Sequence, residues 1–401
     1  MIPSLKSLDW RSFLARPTLP PPPPHRLNAL KQKPILITGA GGSIGSALAL
    51  RLAALGVARL VLLEASESNL YALERDWAEA GAASPMTPVL GSVADRALLE
   101  ETFSAHEPGI VFHAAAFKHV PLMEEQPLAA IANNIFGTET LTRVAQAHGA
   151  RVVLLSTDKA VEPASVMGAT KRVAEQIVLA AGGTVLRLGN VLASRDSVAE
   201  VFAAQIERGG PVTVTDPAAR RYFLTLDEAV NLLLGAATAP ETGTLLAPVL
   251  AATHSIAEMA RFMARTLKPE RAVAIEFTGL RQGDKESELL WKTGDATRPA
   301  GQDGMVQVET DLLTRKQLES RLASLRTALE DRDPAEALDA LRALVPDYTP
   351  SHAVLKLAHE CGQRVCLLIR PLNTVMPSHP FRDETCEMDG ARCFYFKAGS
   401  I

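Results

Sequence analysis

The chain has 401 residues, of which 47% are hydrophobic and 21% charged, enough for one large two-lobed body or two ordinary domains of a globular protein. Its formal net charge of −4 gives no overall support for nucleic-acid binding, so an anionic ligand has to be held by local Arg and Lys or by backbone amides. No apolar run reaches the roughly 18–20 residues that cross a bilayer and no signal-peptide pattern opens the chain, so a cytoplasmic chain without a membrane span is expected.

Residues 1–33 read as a proline-rich arm. Its "LPPPPPH", from Leu19 to His25, is stiff polyproline II, because proline fixes φ and removes the amide donor; a spacer or arm is expected. From Pro34 short apolar runs alternate with amphipathic stretches. "PILIT" predicts a strand and "SIGSALALRLAALG" a helix ended by Gly56. "ARLVLLE" is a second strand, "ESNLYALERDWAEAG" a second helix, and "MTPVLG", "GIVFHAA" and "ARVVLLS" are further strands. Helices are predicted over 127–148 and 167–181, and "TVLRLGN" gives a sixth strand.

Strand–helix alternation implies an α/β fold: a doubly wound parallel (Rossmann) sheet over residues 34–190. After 190 the rhythm breaks. "SVAEVFAAQIERGG", "EAVNLLLGAAT" and "SIAEMARFMART" read as helices, and 309–345 as helical and charged. Residues 191–350 are expected to form a smaller C-terminal substrate-binding lobe facing the carboxyl ends of the strands. Residues 351–401 read as an irregular tail holding all four cysteines: Cys361, Cys366, Cys386 and Cys393. Their spacing is not the paired type of a zinc site, so no metal is expected.

"TGAGGSIG" (38–45) follows a strand and opens a helix. Gly39, Gly42 and Gly45 provide the tight turn, the close backbone approach and the helix–sheet packing that a dinucleotide needs. Ser43 and Ile44 then stand at the helix N-terminus, whose free N–H groups suit a pyrophosphate. Glu64 ends the second strand, 19 residues beyond Gly45. A carboxylate there accepts from ribose hydroxyls and repels a 2′-phosphate, which favours NAD over NADP. Ala114, Ala115 and Ala116, after the fourth strand, are small enough for a cofactor to lie against the backbone.

Several blocks together resemble the extended short-chain dehydrogenase/reductases, and more narrowly the bacterial polysaccharide-biosynthesis UDP-N-acetylglucosamine 4,6-dehydratases: "HAAAFKHVPLMEEQP" (113–127), "STDKAVEPASVMGATKR" (156–172), "RLGNVLASRDSV" (187–198), "GGPVTVTDP" (209–217), "RRYFLTLDEA" (220–229) and "GLRQGDK" (279–285). The resemblance spans about residues 30 to 350. It implies a lyase with tightly bound NAD that acts on UDP-N-acetylglucosamine, and a homo-oligomer is expected. There are departures. An Asp is usual after the third strand, where this chain has Ser92 and Val93, and Glu64 stands where Asp is usual. Long members also carry an N-terminal membrane region and a second nucleotide-binding-like domain, whereas here only the short prefix precedes the first strand.

In the wider superfamily a Tyr stands four residues before the cofactor-binding Lys. Here Lys171 is preceded by Met167, and none of Tyr71, Tyr222, Tyr348 and Tyr395 has a Lys four residues later. The chemistry therefore has to come from elsewhere. A 4,6-dehydratase needs a donor at O4, an acid at O6 and a base at C5. By resemblance to related dehydratases with Thr-Asp-Glu, Thr157 orients O4, Asp158 protonates the leaving hydroxyl and Lys159 takes the C5 proton. As a base, Lys159 needs a pKa well below its ordinary value of roughly 10.4, with Lys171 the candidate neighbouring cation. Lys171 itself is expected on the nicotinamide ribose. The O4 proton has two possible acceptors, Asp158 or a water held by Thr157. The Met variant resembles the subgroup that retains the C5 configuration. Lys118, Asn190, Arg195, Arg221 and Arg281 are the expected substrate contacts, the three arginines for the diphosphate. The alternatives are a UDP-sugar 4-epimerase and a non-catalytic NAD-binding relative.

Overall fold

The computed structural model describes residues 5, 8–82 and 84–368. The six predicted strands form as β1 (Pro34–Thr38), β2 (Arg59–Glu64), β3 (Met86–Leu90), β4 (Ile110–His113), β5 (Arg151–Thr157) and β6 (Thr184–Leu188). All are parallel, in the order β3, β2, β1, β4, β5, β6. Ile37, for example, lies beside Leu62 on one side and Phe112 on the other. Ile35, Leu36 and Ile37 are all fully buried. Continuous rather than alternating apolar runs are what a sheet covered on both faces requires. The order reverses between β1 and β4, and ligands of such sheets bind in the crevice that opens there.

The helix Ser43–Leu55 ends as expected at Gly56, whose φ of 73° suits the left-handed cap. Arg96–His106, the helix between β3 and β4, starts where Asp95 accepts from the Leu98 amide. The predicted 127–148 helix is interrupted: Pro127–Ala130 and Thr138–Ala147 are α-helical, but Ile131–Gly137 between them is a wider π-turn.

The sheet does not stop at residue 190, and the expected boundary there needs correction. Leu245–Pro248 joins β6 in parallel, followed by the antiparallel strands Met305–Val308 and Thr297–Pro299, giving a nine-stranded sheet. Leu245, Leu246 and Ala247 are buried, an apolar run that the sheet edge covers. The helices Arg315–Glu330 and Pro334–Leu344 also belong to this side. Their Leu322, Leu325 and Leu341 share a core with Ile135 and Val173.

Within residues 191–350 a small lobe has a hydrophobic core of its own. It is built on Val198–Glu207 and Ile256–Leu267, with Phe202, Ile206, Met259 and Met263 in its core. The tail does not begin irregularly either. His352–Leu368 is a helix that buries Val354 and Ala358. Cys386 and Cys393 lie outside the described residues.

The prefix is not a free arm. Trp10–Leu14 is a short helix whose Trp10 and Leu14 are buried in the small lobe's core. Arg16 donates to both carboxylate oxygens of Glu228 (2.7 and 2.9 Å) and to the Phe223 carbonyl. The expected polyproline II does not reach His25: the last proline of the run, Pro24, takes the first position of the helix Pro24–Lys31, where its missing N–H costs nothing, and His25 is helical too. Among the described residues no helix is long and apolar enough to cross a membrane.

Candidate active site

The glycine turn lies between β1 and the helix Ser43–Leu55. Gly39 has φ 65°, and a Cβ there would stand 2.7 Å from the Ala115 nitrogen. A Cβ at Gly45 would stand 2.2 Å from the Gly39 carbonyl oxygen. The turn therefore closes only with glycine at both places. Gly42 caps the helix without a side-chain hydrogen bond, so Ser43, Ile44 and Gly45 carry amides at an uncapped N-terminus.

Glu64 is buried at the end of β2. Its Oε2 accepts from the Gly41 amide (2.9 Å) and its Oε1 from the Ser66 amide (3.0 Å). The two amides fix the carboxylate beside the turn with lone pairs left for a diol. Ser92 accepts from the Ala94 amide, and Val93 packs under Gly137.

Ala114, Ala115 and Ala116 are half-buried and wired from below. Thr138 donates to the Asn134 carbonyl and so accepts from His113 Nε2–H; His113 Nδ1 accepts from the Thr38 hydroxyl. Burial, with Lys171 nearby, lowers the His113 pKa to about 3, so this imidazole is a neutral bracket. In the π-turn, Asn134 receives the Phe117 amide and donates to the Phe117 carbonyl and Thr170, which clamps the segment that carries Lys118.

Thr157, Asp158 and Lys159 converge where β5 gives way to the Asp158–Ala160 turn. The Thr157 hydroxyl donates to Asp158 Oδ1 (2.9 Å), and Lys159 Nζ donates to the same oxygen (3.1 Å) and to Asn190 Oδ1 (3.4 Å). Asp158 is fully buried, and its Oδ2 has no hydrogen-bond partner.

The expected depression of the Lys159 pKa is not present. Burial pushes it down, but Asp158 and Glu288 outweigh burial and hold it above the ordinary range. The opposing cation is Arg221 rather than Lys171. Lys171 carries the depressed value, about 8, through burial against the pull of Glu175, and it donates to the Leu155 carbonyl at 2.7 Å. Met167, 4% exposed, belongs to the helical core cluster with Ile135 and Phe136.

The substrate candidates separate. Asn190 joins the Thr157–Asp158–Lys159 cluster. Arg221 is buried and spends its guanidinium on the carbonyls of Arg220, Lys285 and Glu286. Arg195 lies over the glycine turn, with its amide on Ser43 Oγ and its guanidinium on the Gly41 carbonyl and Asn69; Lys118 donates to the Arg195 carbonyl. Arg281 is exposed and paired with Asp284 (2.8 Å). Three members of the neighbourhood went unpredicted: Asn69, Lys285 and Glu288. Glu288 lies 129 residues beyond Lys159, and no local pattern announces that approach.

Residues 35–310 match a family described as polysaccharide biosynthesis protein. The chain is 39% identical over 271 residues to the capsular polysaccharide biosynthesis protein CapD of Staphylococcus aureus, covering 65% of this chain and 45% of that protein. It thus spans about half the length of that relative. It is 32% identical over 280 residues to a UDP-glucose 4-epimerase of Rickettsia canadensis, covering 66% and 80% of the two chains. Among solved structures, Pen from Bacillus thuringiensis superposes with a TM-score of 0.65 at 27% identity, over 71% of this chain and 89% of that one. The matched span contains every site residue from Gly39 to Glu288, and the chain belongs to the polysaccharide-biosynthesis protein family.

Proposed function

We propose that this chain is an NAD-dependent dehydratase that converts UDP-N-acetylglucosamine to its 4-keto-6-deoxy derivative with the C5 configuration retained. The observation that carries this reading is the Thr157–Asp158–Lys159 cluster at the carboxyl end of β5. A simple C4 oxidation and reduction needs no buried acid beside an amine.

The crevice fits a dinucleotide. Gly39 and Gly45 leave no room for side chains, the helix offers uncapped amides, Glu64 is fixed for a ribose and Ala114 to Ala116 form a small-residue wall. Bound there, NAD supplies reversible hydride storage between C4 and C6. The chain's residues handle the protons. Thr157 receives the O4 proton and passes its own to Asp158, along the hydrogen bond it already makes. Asp158, now neutral, no longer holds the Lys159 ammonium. Burial and Arg221 then favour the free amine, which loses its proton to water through a side chain that is 20% exposed. Lys159 takes the C5 proton, Asp158 protonates the departing O6, and water leaves. Lys159 returns its proton to C5 on the face it came from, which retains the configuration, and then regains from water the proton it lost, beside an Asp158 that is again a carboxylate. Lys171 and Glu64 hold the cofactor's two riboses.

A UDP-sugar 4-epimerase is the second reading, favoured by the 32% identity to a protein of that name. Incubation with UDP-N-acetylglucosamine in D2O, followed by NMR, separates the two. A 6-deoxy-4-keto product with gluco configuration at C5 is expected. UDP-N-acetylgalactosamine as the sole product would make the chain an epimerase.

A further inference from the structure

Glu288 stands outside the roles assigned above, and its surroundings are unusual for a structural acid. It is 2% exposed and reaches the catalytic turn from the segment that follows "GLRQGDK". Its two oxygens face different cations. Oε2 pairs with Lys285 Nζ at 2.6 Å, which already neutralises the carboxylate. Oε1 points at Lys159 Nζ from 3.8 Å, an ion pair with room for the amine to move.

The segment is nailed down from both sides. Lys285 Nζ donates to the Val161 carbonyl (3.0 Å), just past the Asp158–Ala160 turn. Arg221 donates to the carbonyls of Lys285 (2.7 Å) and Glu286 (3.0 Å). Glu288 is thus held at a set distance from one amine. The charged groups facing that amine are Asp158 from its own turn, Glu288 from this segment and Arg221 from the Arg220–Arg221 strand, while Asn190 adds a neutral acceptor.

We propose that Glu288 is a positioning residue for the reaction, a buried carboxylate that stabilises the ammonium formed when Lys159 takes the C5 proton. This rests on the reading that Lys159 handles that proton. The need arises from the cycle itself. Asp158 is neutral when Lys159 acts, so its charge is missing at the moment the ammonium forms inside the protein. Glu288 is then the one anion left beside it among the described residues. A cation formed in a low-dielectric site without a partner is strongly disfavoured. Lys285 keeps Glu288 in place and moderates its pull.

The test follows the Lys159 ammonium directly, in protein carrying 15N-lysine, with the signal identified by its loss in Lys159→Arg. In Glu288→Gln, Lys159 is expected to titrate at lower pH than in the wild type. In Lys285→Met it titrates at higher pH, and Glu288→Asp keeps it near the wild-type position. With UDP-N-acetylglucosamine, the acid limb of the kcat profile of Glu288→Gln moves to lower pH. Its plateau falls about tenfold to a hundredfold while KM stays within about threefold, because the weaker base is the slower one. An unmoved Lys159 titration in Glu288→Gln, or in Lys285→Met should the first variant not fold, overturns the proposal. If the wild type turns over no UDP-sugar, the dehydratase reading falls, while the titration still decides whether Glu288 governs Lys159.

Discussion

Lys159 and Lys171 divide between them the two properties first expected of one residue. Lys159 sits in the Thr157–Asp158–Lys159 cluster but is held as an ammonium, whereas Lys171 is the lysine whose pKa is depressed. The residue types and their strand-end position were legible in "STDK". The direction of the Lys159 shift was not, because it is a balance of burial against Asp158 and Glu288, and only the folded chain sets the burial and brings Glu288 near. Lys159→Ala is expected to lower kcat by about 10²- to 10⁴-fold while leaving NAD affinity within a few-fold of wild type, measured by turnover and by cofactor titration. Comparable turnover would remove Lys159 from the chemistry. Lys171 gives a prediction for the cofactor-free protein. Between its native value of about 8 and its ordinary 10.5, the unfolded chain keeps a proton that the native chain has lost. Stability therefore rises with pH across that window relative to Lys171→Met. Urea midpoints of the two proteins at several pH values check this, and parallel curves would contradict it.

The elements were the most legible part. All six Rossmann strands fall where the apolar runs predicted; β1, β2, β4, β5 and β6 are buried over most of their length, whereas β3 at the end of the sheet stays partly exposed. The strands Leu245–Pro248, Met305–Val308 and Thr297–Pro299, which extend the sheet beyond β6, were missed; they are short, and long stretches separate the first from β6 and from the other two, so local periodicity cannot connect them. The helix Val166–Ala180 shows how an element positions the site. Glu175 accepts from Arg187, Arg172 and Ser156, fastening the helix to β5 and β6. Gly168 lets the helix press on the catalytic turn, since a Cβ there would stand 2.2 Å from the Lys159 carbonyl oxygen. A helical Gly→Ala change ordinarily stabilises by about 1 kcal/mol. Gly168→Ala is expected to reverse that sign and to lower kcat, because backbone has to move. A higher melting temperature with normal turnover would show the contact to be slack.

At the scale of the molecule, the prefix changes from spacer to strap. A proline run in sequence announces stiffness, but not where its flanks dock. Here Arg16 reaches across to Glu228, which is 1% exposed and lies in the helix packed on Ser43–Leu55. Arg16→Ala leaves that carboxylate short of its cation and is expected to cost on the order of 3 kcal/mol, read from denaturant midpoints. Arg16→Met combined with Glu228→Gln is expected to recover most of the loss; an unchanged midpoint in Arg16→Ala would mean that the strap does not hold in solution. The proposed dehydration stands or falls on a hydride moved from C4 to C6 of the sugar. Turnover of UDP-N-acetylglucosamine deuterated at C4, with the product's label located by NMR, tests it most directly. Deuterium at C6 of a 4-keto-6-deoxy product is expected; deuterium still at C4, in a product that keeps its C6 hydroxyl, would contradict the dehydration.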